Sequence, residues 1–296
     1  MYQKIEVATA SQASIPFIRH LLSKNLLSAV IVPTKKQEVI PYFSQMVPQQ
    51  YLKFIVDHKE LPVGTDTDLI VSFGYPGKIK IIPNIRMVNV HFGKLPENRG
   101  VDPLFRTLVS TEAQAYITIH EMSDQLDSGD ILLEQPVDIY PGEYYGMLSA
   151  RLSNLSVQML DQLINGNPDP RPQDHSKSNY FGAITESDTK INWQQMDAIE
   201  IERLVNACNP IYNGAQTTIM GNPLKIIEVS VAQLNLPSGQ TPPPPGTVVH
   251  SSPQDGMFVI CKNQTYIRLN IISTIDGLVS GNKLAALGTQ PGIRLE

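Results

Sequence analysis

The 296-residue chain has little of the chemistry that holds many small folds and metal sites together. Its two cysteines, Cys208 and Cys261, give neither a disulfide framework nor zinc spacing, and no pair of its six histidines has metal-ligand spacing, so no metal is expected. Long apolar runs are absent: the longest, around Leu26–Val32, is interrupted by Ser28 and is far too short to cross a bilayer. No charged segment leads into an apolar signal, because Lys4 and Glu6 lie inside the first strand-like run. Positive charge is scarce. Lys and Arg number 23 against 28 Asp and Glu, a net charge of −5, which excludes a strongly basic nucleic-acid binder as a whole-chain reading. Neither a P-loop nor a GxGxxG turn follows a strand, so no nucleotide cradle is expected. These absences point to a soluble, cytoplasmic protein without a membrane partner, and they leave its oligomeric state open.

Hydrophobic residues make up 42% of the chain, enough to bury a sizeable core and to exclude disorder over most of its length. The first half alternates strand-like and helix-like runs. Lys4–Ala8, Ala29–Val32, Asp68–Phe73 and Met87–His91 are short and nearly all apolar, as strands of a parallel sheet covered on both faces must be. Ala115–Glu121 and Ile131–Pro136 read as further strands. Ile15–Leu22 has helical spacing with Pro16 in its first turn, and Glu143–Ile164 has a stripe of Met147, Leu148, Leu152, Leu155, Met159, Leu160 and Leu163. Residues 165–177, rich in Pro, Asn and Asp, read as a linker. A helix over Asp197–Cys208 and short β runs at regular spacing follow (Gln216–Met220, Leu224–Val231, Thr247–His250, Met257–Cys261 and Thr265–Ile272), which suggests a small barrel. The expectation is therefore an α/β chain. A Rossmann-like, mostly parallel sheet domain over 1–175 precedes a small OB-like β-barrel domain over 176–296.

Asn89 and His91 lie two apart on a strand, so both side chains leave one face. They sit at its C-terminal end, the edge where open parallel sheets bind ligands. An amide and an imidazole pointing together into a crevice can donate to one developing oxyanion. Asp127 follows in a second loop, Asp124–Asp130; a carboxylate near His91 raises its pKa and can take a proton from an attacking amine. On its own, the Asn-x-His pair also fits a satisfied polar pair at a strand end.

Asn89-Val90-His91, Leu95-Pro96, Arg99-Gly100, Asp102-Pro103, Thr118-Ile119 and Leu126–Ile131 occur in the order and spacing of the 10-formyltetrahydrofolate-dependent formyltransferases, a family that this chain resembles. The later segments Lys190–Trp193, Asn209-Pro210 and Gly221–Ile226 resemble the C-terminal domain of the methionyl-tRNA members. The resemblance implies the formyltransferase fold and 10-formyltetrahydrofolate as co-substrate. Asn89 and His91 then polarise the formyl oxygen, while Asp127 orients His91 and manages protons. It also implies that folate lies against Phe73, Gly74, Tyr75 and Gly77 and against the loop from Asp124 to Gly129, with Ile79 and Leu95 as apolar walls. Phe92, Gly93 and Lys94 stand where the family usually has Pro or Gly and then Ser, and Tyr116 stands where it commonly has Gly.

The remaining histidines read as structural or solvated: His20 on an early helix, His58 in the charged run 57–60, His120 on the strand with Thr118, His175 in the linker and His250 at a strand end. From Phe181 onward seven basic residues face nine acidic ones, and only Lys35 and Lys36 follow the second strand. That is a poor match for tRNA phosphates. A small-molecule amine acceptor, such as an amino-sugar nucleotide or a carrier-bound amino acid, is therefore preferred over methionyl-tRNA. A local basic rim of Lys94, Arg99 and Arg106 keeps tRNA open as a partner. A hydrolase releasing formate from the same folate, and an idle folate-binding protein, are the readings from other classes.

Overall fold

The computed structural model describes residues 2–56, 61–64, 66–166, 168–234 and 241–296, and the run around His58 lies outside them. Contacts divide the chain into two compact units. One comprises Met1–Pro103, Ala113–Ile139 and Ser149–Gly182; the other comprises Leu104–Glu112, Tyr140–Leu148 and Ala183–Glu296.

The first unit is built on strands β1 (Ile5–Thr9), β2 (Leu27–Pro33), β3 (Leu52–Ile55), β4 (Leu69–Phe73) and β5 (Arg86–His91). Helices α1 (Ile15–Ser23) and α2 (Ile40–Met46) fall between them. β1 and β4 are buried along their whole length, which is why their sequences are apolar without alternation. A two-residue strand, β6 (Arg99–Gly100), and helix α3 (Pro103–Val109) precede β7 (Gln114–Glu121) and β8 (Ile131–Asp138). The sheet order is β3-β2-β1-β4-β5-β7-β8. The first five strands are parallel; β7 and β8 add antiparallel. The loop between β7 and β8 spans only residues 122–130, too few for the crossover that a parallel pair needs. β1 is flanked by β2 on one side and β4 on the other, so the strand order reverses there and a crevice forms at the carboxyl ends of these strands.

Helix α4 (Tyr145–Gly166) buries Leu148, Leu152, Met159, Leu160 and Leu163. Met147 is 53% exposed instead of buried: it lies 100° around the helix from Leu148, off the stripe that Leu148 and Leu152 define. Strand β9 (Tyr180–Phe181) pairs in parallel with β6 and belongs to the first unit. An expected division at residue 175 would separate these two strands.

The second unit contains α5 (Ala198–Cys208), whose first turn is closed by a capping box between Asp197 and Glu200. It continues with β10 (Ala215–Ile219), β11 (Asn222–Ala232), β12 (Val248–Ser252), β13 (Gly256–Ile260), β14 (Tyr266–Thr274), β15 (Gly277–Ser280) and α6 (Gly281–Ala286). The strands pair in the order β10-β11-β14-β13-β12, with β15 on β14. The last residues join the two edges. Leu295 bridges Ile219 of β10, and Arg294 bridges Thr247 next to β12. Edges paired in this way make a closed barrel rather than an open sheet. Trp193 locks the seam from inside: its Nε1 donates to Thr217 Oγ1 at 2.9 Å, and Thr217 donates to the carbonyl of Glu296 at 2.8 Å.

Candidate active site

The carboxyl end of β5 delivers Asn89 and His91 to one face, as their period-2 spacing requires. The turn after β7 brings Asp127 to them. Asp127 Oδ1 lies 3.3 Å from Asn89 Nδ2, 3.8 Å from His91 Nδ1 and 3.5 Å from His120 Nε2. Its other oxygen accepts the backbone N–H of Gly100 at 2.9 Å. His91, His120 and Asp127 are 6%, 2% and 5% exposed, so the cluster is nearly dry.

Each ring has one nitrogen committed to the backbone. His91 Nε2 donates to the carbonyl of Asn98 at 2.7 Å, and His120 Nδ1 donates to the carbonyl of Glu121 at 2.8 Å. His91 therefore turns Nδ1 toward Asp127, and His120 turns Nε2 inward, where it accepts from Asn89 Nδ2 at 3.2 Å. Both amide protons of Asn89 are thus directed within the cluster.

Burial pushes the pKa of His91 below its ordinary value, against the pull of Asp127 and with a smaller push from His120. The sequence reading, in which the neighbouring carboxylate raises His91, is corrected here: the pull is present, but loss of solvent dominates. Burial also opposes ionisation of Asp127. There the pull of His91, the nearby His120 ring and the Gly100 N–H prevail, so its carboxyl titrates below the usual range. At neutral pH the pair is an imidazole beside a carboxylate.

The carboxylate is held by its backbone. Asp127 adopts a left-handed φ of +54°, uncommon for a residue with a side chain. Gln173 clamps this turn: its Nε2 donates to the carbonyls of Asp127 at 3.0 Å and Gly129 at 2.6 Å. Arg99 in turn donates from Nε and Nη2 to Gln173 Oε1 at 3.0 and 2.6 Å. Gly100 has φ +103° and runs so close to β9 that a Cβ would stand 2.1 Å from the carbonyl oxygen of Phe181. Gly129 is equally enclosed: its Cβ would lie 1.9 Å from the carbonyl oxygen of Glu121. Gln173 was not legible as a site residue, because it sits between Pro172 and Asp174 in a run that reads as linker and its partners are remote in sequence.

The other expected site residues are placed as follows. Gly74 and Gly77 are exposed turn residues after β4, with φ +61° and +111°. Phe73 is buried at the end of β4, and Asp124 is exposed in the turn after β7. Tyr75 and Ile79 belong to a buried cluster with Ala8, Ile31, Ile70 and Met87, and Leu95 is likewise buried. Apolar surface that stays partly open beside this cluster comes from Ile81, Ile82, Ile85 and Met122. The basic rim is largely spent: Lys94 pairs with Glu97 at 3.1 Å, Arg106 pairs with Asp188 at 3.2 Å, and Arg99 is buried. Among the described residues there is no group of three or more His, Cys, Asp or Glu arranged to hold a metal, and no helix long and apolar enough to cross a membrane.

With this geometry in place, residues 65–164 match the formyl transferase family and residues 183–277 match the formyl transferase C-terminal domain. The chain is 30% identical over 237 residues to the methionyl-tRNA formyltransferase of Natranaerobius thermophilus, covering 77% of this chain and 74% of that protein. This chain belongs to the formyltransferase family. It is also 33% identical over 206 residues to the methionyl-tRNA formyltransferase of Blochmanniella pennsylvanica, covering 67% of this chain and 63% of that one, so the match spans less than two thirds of that relative. Among solved structures, the N-formyltransferase of Helicobacter canadensis, in complex with folinic acid and dTDP-3-aminofucose, shares the fold. Its TM-score is 0.65 at 16% identity, over 90% of this chain and 98% of that one.

The departures from the family pattern now have positions. Phe92 stacks edge-on with Phe73, ring centres 5.4 Å apart, and the ring of Tyr116 carries the Lys94 ammonium 5.7 Å from its centre. Gly93 lies against the site: a Cβ there would approach His91 Nε2 to 2.8 Å. Gly93, with no side chain in that space, lets the His91 ring reach the carbonyl of Asn98.

Proposed function

We propose that this chain transfers the formyl group of 10-formyltetrahydrofolate to a primary amine. The observation that carries the reading is the convergence of Asn89, His91 and His120 on one oxygen of Asp127, in a largely buried cluster at the carboxyl edge of a formyltransferase sheet. Folate is held as co-substrate between the exposed turn at Gly74–Gly77 and the turn carrying Asp127, beside the partly open surface of Ile81, Ile82, Ile85 and Met122.

The amine lone pair forms a bond to the formyl carbon while the carbonyl electron pair moves onto oxygen. Asn89 donates to that oxygen, giving up its longer contact to Asp127. His91, neutral and with Nδ1 unprotonated, takes the proton released by the amine. The resulting imidazolium is stabilised by the carboxylate 3.8 Å away. When the oxyanion collapses, the bond from carbon to N10 breaks and His91 returns the proton to N10. The products are a formamide and tetrahydrofolate. Donors placed where the oxyanion develops are worth about 10²–10³ in rate each.

For the acceptor, the charge balance favours a small amine: residues 181–296 carry seven basic and nine acidic side chains. Methionyl-tRNA is the second reading, supported by the relatives at 30% and 33% identity. An acceptor screen with 10-formyltetrahydrofolate decides, comparing initiator methionyl-tRNA, amino-sugar nucleotides and free amino acids. Formamide produced from none of them, with formate released instead, would replace transfer by hydrolysis.

A further inference from the structure

His120 takes no part in the bond-making steps above, yet it is buried directly against a residue that does. Asn89 and His120 are cross-strand partners in the antiparallel pair of β5 and β7. Facing residues on such a pair hold their Cβ atoms about 4.5–5.5 Å apart on one face of the sheet. The sheet itself therefore sets the imidazole beside the amide, with no loop between them.

Two groups that can only accept decide how both side chains are turned. The carbonyl of Glu121 faces His120 Nδ1 at 2.8 Å, so Nδ1 carries the ring proton and Nε2 is bare. The carboxylate of Asp127 faces Asn89 at 3.3 Å, so the amide presents Nδ2 rather than its oxygen to it. The second proton on Nδ2 then meets His120 Nε2 at 3.2 Å.

These two bonds have different fates during transfer. The one to Asp127 is exchanged for the formyl oxygen as charge develops there. The one to His120 need not break, and at that moment it is what still holds the amide. The last side-chain torsion of asparagine is broad and nearly two-fold. Released from both acceptors, the amide could turn its own oxygen toward the oxyanion and repel it.

We propose that His120 is a positioning residue, whose Nε2 holds the Asn89 amide in the orientation that donates to the formyl oxygen. The inference rests on the formyl-transfer reading and adds to it the group that keeps the donor in place.

A double-mutant cycle tests it, with turnover measured on the acceptor found in the screen or as formate release. His120→Phe keeps a ring and removes the accepting nitrogen; His120→Gln supplies Oε1 as an acceptor instead. Melting temperature and folate binding establish that each variant is folded. We expect His120→Phe to lower kcat about tenfold or more, the scale of one hydrogen bond, with KM values within about threefold of the parent. His120→Gln should recover most of that loss. In an Asn89→Ala background, His120→Phe should change kcat by less than about threefold, because the group it acts through is already gone. Equal losses in both backgrounds, or a His120→Gln no better than His120→Phe, would overturn the proposal.

NMR of ring-labelled histidine, with His120→Gln to assign the signal, decides the tautomer without turnover and without His120→Phe. A proton on Nδ1 and a bare Nε2 are expected at neutral pH; a proton on Nε2 overturns the proposal. The two readings fail separately. An active parent with additive losses loses only the role of His120, whereas a parent that yields neither formamide nor formate loses the formyl-transfer reading, and this role with it.

Discussion

The side-chain amide of Gln173 holds the backbone carbonyl of Asp127 at 3.0 Å, although 46 residues separate them. With the second bond to Gly129, it fixes a turn whose central residue has an unfavourable φ. Gln173→Leu removes the bonds to the buried Asp127 carbonyl and the half-buried Gly129 carbonyl and leaves Arg99 with His175 as its remaining partner. Each buried group left unsatisfied costs about 1–3 kcal/mol. The variant should therefore unfold at lower denaturant, and its kcat should fall more than its affinity for folate. A stable variant with unaltered kcat would show that the turn holds Asp127 unaided.

His91→Ala should lower kcat by about 10²-fold or more with little loss of folate binding, because the imidazole acts on charge that appears only in the transition state. Turnover within a few-fold of the parent, measured with the acceptor found in the screen, would remove His91 from the mechanism.

The pH behaviour follows from two pKa values that are both displaced downward. His91 is lowered from an ordinary 6.5, so its contribution to stability is intact above 6.5 and is lost as pH falls from there through its folded value. Asp127 is lowered from 3.8, so its contribution is present above 3.8 and is lost as pH falls through its own folded value. Activity needs neutral His91, which places the acid limb of kcat/KM below pH 6.5. Asp127→Asn removes the charge that pulls His91 upward; the acid limb of the residual activity should move to still lower pH. A profile unchanged in shape would confine Asp127 to a structural role.

Much of this was legible because it is local. Buried strands announce themselves by unbroken apolar runs, and the two-residue spacing of Asn89 and His91 places both on one face wherever the strand lies. What was not legible depends on distant partners. The antiparallel addition of β7 and β8 and the closure of the barrel by Arg294 and Leu295 are decided by pairing rather than propensity. The short strand Leu52–Ile55 alternates too briefly to stand out. Gln173 looks like linker until its hydrogen bonds are seen, and the sign of the His91 shift depends on burial that the motif does not contain.

Gly129→Ala tests the closeness of the Asp127 turn to β7. The added Cβ would stand 1.9 Å from the carbonyl oxygen of Glu121, which is backbone and cannot rotate away. Relief requires the whole turn to shift, at about 1–3 kcal/mol or more. We expect a lower melting temperature and a loss of kcat together, since the shift also moves Asp127. A variant as stable as the parent would mean that the turn sits farther from Glu121.

The choice between acceptors can be tested by salt alone. A protein that neutralises several phosphates loses affinity steeply with ionic strength, with a log–log slope of roughly −0.7 to −0.9 per contact. Here the net charge is −5, and the basic residues around the site loop are paired or buried: Lys94 with Glu97, Arg106 with Asp188, and Arg99 inside its own network. Initiator tRNA should therefore bind no more tightly than about 1 μM at physiological salt, within the roughly 10⁻⁴–10⁻⁶ M of non-specific contact. Anisotropy titrations at two salt concentrations measure both affinity and slope. Tight binding that weakens steeply with salt would make methionyl-tRNA the leading acceptor, because only a phosphate-tracking surface produces that dependence.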